Sequence, residues 1–223
     1  MKEKLKPYFR KIKWNWALFG SSFLWLGILA IIADQASKWA VQLSLNYNDP
    51  VAIIPNFFYI TLTNNTGAAW SIGGGHIAGR IIFIIISVVM SFAFYFYWRR
   101  NVETESKLMN ATLMLIFGGA VGNLIDRAFY FWEQGSGLPY GVIDWIQFYL
   151  GGGPSAPDNR FLNPFPTFNI ADACLVVGII ILVIVMIVRG IKESKKEDEK
   201  FAAKIAKEKA AENSEEKPDG KAD

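Results

Sequence analysis

Histidine and cysteine are almost missing from the 223 residues: His76 and Cys174 are the only ones. One cysteine cannot build a disulfide framework, and one histidine cannot build a histidine metal cluster. A cysteine or histidine metal site is therefore excluded, and no cofactor is expected. Lys and Arg are absent from residues 41–79, and residues 128–171 hold only Arg160. Charge of either sign is absent from Asn15 to Ala33, Ile81 to Trp98, Leu108 to Ile125 and Ala173 to Val188. With 52% hydrophobic and 15% aromatic residues, the composition argues against an ordinary soluble domain. The net charge of +3 is small, and no nucleic-acid partner is expected.

What is present follows from those gaps. Each charge-free run is at or near the roughly 20 residues needed to cross a hydrocarbon core. The last run reaches that length if it starts near Phe168, with Asp172 at the interface. The reading is an all-α membrane protein with four transmembrane helices. The first run is longer than a signal-peptide core, and Ala33-Asp34-Gln35-Ala36 is a poor cleavage site, so it is expected to be retained. Lys and Arg number six in residues 1–15, three in 99–107 and ten in 189–223. By the positive-inside rule both termini and the middle loop face the cytoplasm, and the two long loops lie outside.

This divides the chain into a basic leader (1–15), a membrane domain (16–191) and a charged tail (192–223). The tail is Lys/Glu/Ala-rich and is expected to be helical in part, then largely disordered, and without chemistry. The outer loops span about 41–79 and 128–168. In the first, Ile53 to Thr63 is β-branched and aromatic and reads as a small extracytoplasmic β-hairpin or cradle, followed by a turn at Asn64 to Gly67. In the second, Gly141 to Leu150 is apolar enough to lie on the bilayer as a short surface helix.

The third apolar run closes with Gly118-Gly-Ala-Val-Gly-Asn-Leu-Ile-Asp-Arg127. On a helical period Gly119, Asn123, Asp126 and Arg127 share one stripe, and Gly118 and Gly122 form a small-residue pair beside it. A polar stripe is costly in lipid, so it must face protein or water. With the charge-based topology, Asp34 and Asp126 fall at the outer ends of two helices, Asp172 at the start of another and Asp144 in the loop between. Asp34 can pair with Lys38 four residues on, and Asp126 adjoins Arg127. Asp144 and Asp172 have no cation within four residues. Two such carboxylates at a half-dry surface cannot comfortably both ionise, and a base beside a protonated acid is the equipment of acid–base hydrolysis. Structural uses stay open at this point: Asn169 and Asp172 have the spacing of a capping box, and Asp144 is within sequence range of Arg160. A small proton-coupled transporter using the outer aspartates is the alternative. It would favour acids at mid-helix and an internal repeat, and no repeat is evident.

Five motifs occur in order between Ser21 and Val188: Asp34-Gln-Ala-Ser-Lys38, Asn65-Thr-Gly-Ala-Ala-Trp-Ser71, Gly118 to Arg127, Val142-Ile-Asp-Trp145 and Phe168-Asn-Ile-Ala-Asp172. Together they make the chain resemble the bacterial lipoprotein signal peptidases (signal peptidase II). The resemblance implies an aspartic endopeptidase of the inner membrane that cuts diacylglyceryl-modified prolipoproteins just before the lipidated cysteine. It implies Asp144 and Asp172 as the catalytic pair. Asn65, Gly67, Asn123, Asp126, Arg127, Asn169, Asp34 and Lys38 would bind substrate or support the site. The partners would be prolipoproteins and membrane lipids, with the enzyme acting as a monomer. Trp70 and Trp145 stand where Phe is usual, the loop after Asp144 is long, and the tail beyond Ile191 lies outside the family core.

Overall fold

The computed structural model describes residues 15–65, 77–129, 141–157 and 162–215. Its helices are α1 (Trp16–Ser22), α2 (Leu24–Ser44), α3 (Ile77–Asn101), α4 (Lys107–Phe129) and α5 (Ile170–Glu215). The strands are β1 (Val51–Ile54), β2 (Phe58–Asn65) and β3 (Val142–Phe148). Among the described residues, four helical segments are long and apolar enough to cross a membrane: Leu24–Ser44, Ile81–Asn101, Lys107–Phe129 and Ile170–Lys207.

The expected architecture holds, but its first span is displaced. The run from Asn15 is not one helix, because Phe23 adopts a left-handed backbone (φ 55°) and separates α1 from α2. Carbonyls freed at the break find partners on other helices. Trp98 Nε1 donates to the Ser22 carbonyl at 2.9 Å, and Asn110 Nδ2 donates to that of Ser21 at 3.2 Å. At the other end α2 continues past Asp34 to Ser44, so Asp34 lies near the middle of a helix rather than at its end. A helix tolerates these charges inside because Asp34 and Lys38 are fully buried against protein and paired with each other.

Residues 141–150 correct a second expectation. They carry the strand β3, not a surface helix. β3 completes an antiparallel sheet in the order β1-β2-β3, in which Thr63 faces Asp144 and Asn65 faces Val142. The main-chain donors of an apolar β-branched run are satisfied by β2, which a lone surface helix would not require. Asn64 and Asn65 therefore belong to β2 and not to a turn, and Thr66 and Gly67 lie outside the described residues. Val41 of α2, Leu62 of β2 and Ile143 of β3 form the core that joins the sheet to the helices.

Phe168 extends the sheet by one bridge, accepting from the Ile146 N–H at 2.8 Å and donating back to the Ile146 carbonyl at 3.1 Å. The chain then turns directly into α5. This connection sets the start of α5 beside β3. From Ile181 onward α5 belongs to a separate unit. It stays helical to Glu215. Ala, Lys and Glu are strong helix formers, and continuing an existing helix avoids the cost of nucleation.

α4 packs against both α2 and α3. Its glycines permit the approach: a Cβ on Gly118 would stand 2.9 Å from both the Gly27 carbonyl oxygen and the Ala30 Cβ of α2. A Cβ on Gly119 would collide with the Ala171 carbonyl oxygen and lie 2.9 Å from Leu175 Cγ. Gly119→Ala is thus expected to cost about 1–3 kcal/mol through overpacking against backbone. Gly20→Ala, where nothing lies within 4 Å, should be neutral or mildly stabilising. Thermal melts of the two purified variants in detergent check this; equal midpoints would show that the α4–α5 contact can yield.

Candidate active site

The site is built where β3, the end of α4 and the start of α5 meet. Asn169 occupies the N-cap position of α5, and its side-chain oxygen accepts the Asp172 N–H at 2.9 Å. Asp172 returns the contact, its Oδ2 accepting the Asn169 N–H at 3.3 Å. That is the capping box expected from the sequence. The cap leaves the rest of both side chains free for longer-range contacts. Asn169 Nδ2 donates to Asp144 Oδ1 at 2.7 Å, to Asn123 Oδ1 at 3.1 Å and to the Ile143 carbonyl at 3.2 Å. Asn123 Nδ2 in turn donates to Asp172 Oδ1 at 2.7 Å. Asp144 and Asp172 are therefore linked through two asparagines, and both residues line a common cavity.

That cavity has a volume of about 770 Å³. Its polar lining includes Thr63, Asn65, Arg127, Asp144 and Asp172, and its apolar walls come from Val142, Phe165, Phe168, Leu175, Val176 and Val177. A mostly apolar chamber with a few convergent polar groups is the usual form of a ligand site. Asn65 Nδ2 donates to Asp144 Oδ2 at 3.1 Å, and Thr63 Oγ1 donates to the Asp144 carbonyl at 3.1 Å. Stacking of Phe148 on Phe58 and Phe168, with centroids 5.0 and 6.1 Å apart, stiffens the wall that carries them. The Arg127 guanidinium lies 6.0 Å from the Phe83 ring centroid.

Burial, reinforced by the Asp172 carboxylate, pushes the Asp144 acid up to about 8; the hydrogen bonds from Asn65 and Asn169 oppose the shift only in part.

Behind the cavity wall is a second polar layer. Lys38 Nζ lies 2.7 Å from both Asp34 Oδ2 and Asp126 Oδ2, all without solvent exposure, and donates to Asn123 Oδ1 at 3.2 Å. Of the residues expected at the site, Asp144, Asp172, Asn65, Asn123, Asn169 and Arg127 line or join the cavity. Asp34, Lys38 and Asp126 form the layer behind it. Gly67, Trp70 and Arg160 lie outside the described residues. Gln35 and Thr63 carry contacts that no site expectation included. The available signal for Gln35 was its polarity beside Asp34 in an apolar helix.

Four membrane-length helices bearing a small sheet, with two carboxyl groups facing one largely apolar cavity, define the class: a membrane-embedded hydrolase. The family model described as signal peptidase (SPase) II matches residues 26–188. A lipoprotein signal peptidase of Acinetobacter baylyi is 37% identical over 167 residues, covering 72% of this chain and 80% of that protein. One of Geobacillus kaustophilus is 34% identical over 162 residues, covering 72% of this chain and 90% of that protein. A solved bacterial membrane enzyme superposes with a TM-score of 0.57 at 30% identity, covering 75% of this chain and 88% of the other. The chain belongs to the signal peptidase II family, and it is a peptidase.

The raised Asp144 acid has a consequence for stability. A carboxyl that binds its proton more tightly when folded adds stability below its unfolded value near 4, and this is lost as pH rises through about 8. The melting temperature in detergent should thus fall between pH 4 and pH 8 more steeply for the wild type than for Asp144→Asn. Parallel curves would show that Asp144 does not titrate across that range.

Proposed function

We propose that the protein removes signal peptides from lipid-modified prolipoproteins, cutting just before the lipidated cysteine by aspartic chemistry at Asp144 and Asp172. The observation that carries the mechanism is the shared cavity. Two carboxyl groups from distant parts of the chain open onto one space, linked by Asn123 and Asn169. The apolar walls suit a substrate that is a hydrophobic peptide bearing acyl chains, and the names of the relatives support the substrate class.

In this reading Asp144 holds the proton at rest and Asp172 is ionised. Asp172 takes a proton from a water molecule whose oxygen attacks the scissile carbonyl carbon. Asp144 gives its proton to the carbonyl oxygen, so that a neutral gem-diol forms. Asp172 then protonates the amide nitrogen while Asp144 recovers a proton from one diol hydroxyl. The C–N bond breaks to leave a carboxylic acid and a free amine, and both aspartates return to their starting states. Asn65 and Asn169 hold Asp144 from two sides, and Asn123 and the capping hydrogen bond hold Asp172.

The orientation we infer places both termini in the cytoplasm and the cavity near the outer face of a bacterial inner membrane, on the distribution of Lys and Arg. A reporter inserted at Ser155 should read as external and one at Glu103 as cytoplasmic. An internal reading at Ser155 would overturn the topology.

The chemistry is tested by gel-shift cleavage of a lipidated prolipoprotein by purified enzyme. Asp144→Asn and Asp172→Asn should each lower turnover on the order of 100- to 10,000-fold in protein that still folds. The double variant should be little worse than either, because the pair acts as a unit. Since the acid must be protonated, wild-type rate should decline as pH rises through about 8, with the limb belonging to the pair. Near-normal turnover by folded Asp172→Asn would leave that residue a helix cap alone and sink the dyad.

A further inference from the structure

Each dyad acid is preceded by a residue whose main-chain N–H is gripped by another, buried carboxylate. The Ala171 N–H, one residue before Asp172, donates to Asp34 Oδ1 at 2.9 Å. The Ile143 N–H, one residue before Asp144, donates to Asp126 Oδ2 at 3.1 Å. The two gripping carboxylates come from different helices, α2 and α4, yet they are tied to each other twice. Lys38 Nζ bridges them at 2.7 Å to each. Gln35 Nε2 bridges them again, donating to Asp34 Oδ2 at 3.2 Å and to Asp126 Oδ1 at 2.9 Å, and also reaching the Gly122 carbonyl at 3.1 Å.

Two carboxylates in a dry interior repel each other, and without the bridges they would separate. Any such separation would be transmitted to the Ala171 and Ile143 amides they hold. The Ala171 N–H lies in the first turn of α5, where a helix supplies no partner of its own, and Asp34 takes that place. Lys38 also donates to Asn123 Oδ1, the group that orients the Asn123 amide toward Asp172.

We propose that Gln35 is a positioning residue for the dyad: by bridging the Asp34 and Asp126 carboxylates beside Lys38 it fixes the separation of the two backbone segments that carry Asp144 and Asp172. Gln35 does not line the cavity and acts through the carboxylates. Its effect is separable from charge, because Lys38 neutralises as well as bridges. Gln35→Met keeps the volume and leaves the ion pairs intact, so the protein should fold. The proposal rests on the dyad reading of the preceding subsection.

The experiment is steady-state cleavage of a lipidated prolipoprotein by the full-length protein across pH, with thermal melts to confirm folding. Gln35→Met should lower kcat about tenfold or more, with KM within about threefold and the pH limbs displaced, because misplacement by an ångström costs on the order of 100-fold. A role in packing alone would lower the melting temperature and leave kcat per folded enzyme and the pH limbs unchanged. Lys38→Met by itself strands two buried carboxylates. For that reason Gln35→Met alone carries the test. Wild-type kcat and pH profile in folded Gln35→Met, or a change confined to KM, would overturn the proposal. Asp144→Asn and Asp172→Asn are assayed alongside. If they turn over normally, the dyad reading itself fails; if they are inactive while Gln35→Met is normal, only the positioning role fails.

Discussion

A single buried ammonium between two buried carboxylates governs much of this structure. Lys38, Asp34 and Asp126 are all withdrawn from solvent, and none is tolerable there alone. Together they tie α2 to α4. Through the main-chain amides of Ala171 and Ile143 they also tie both helices to the start of α5 and to β3. One polar cluster thereby joins four elements at one place in an otherwise apolar bundle. Removing the Lys38 charge would leave two carboxylates buried without compensation, a loss typically of about 3–5 kcal/mol.

The glycines of α4 are the other half of the same constraint. Gly122 leaves room for the Asp34 carboxylate, which would lie 2.7 Å from an added Cβ, and Gly119 leaves room for the first turn of α5. Small residues let backbones approach closely, and close approach is what brings short side chains such as Asp and Asn within hydrogen-bond reach across helices. Without that proximity Asn123 could not reach Asp172, nor Lys38 reach Asn123.

The sheet contributes what the helices cannot. Asp144 is held on β3, whose register with β2 places Thr63 and Asn65 beside it, and whose bridge to Phe168 sets the entry into α5. Asp172 is held by a capping box. Asp172 both completes the capping box and lines the cavity, so a structural role does not exclude a functional one. The box fixes the position of the side chain, and the cavity gives its carboxyl group something to face.

Much of this was legible in the chain. The four apolar runs announce four membrane helices because hydrocarbon demands about 20 uncharged residues, whatever they pack against. The asymmetry of Lys and Arg suggests an orientation, and the five motifs mark the candidate site residues from Asp34 to Asp172. The ends of the helices were not legible. Charge-free runs stop at the first charge, whereas α2 continues through Asp34 and Lys38 because each neutralises the other out of lipid. Strand or surface helix at residues 142–148 was likewise undecidable locally: an apolar run fits either, and pairing with β2 decides it. Gln35 shows the same limit most clearly. As a sequence letter it is one polar residue in an apolar helix. Its three acceptors, on Asp34, Gly122 and Asp126, come together only when α4 has packed against α2, since two of them lie 87 and 91 residues away along the chain.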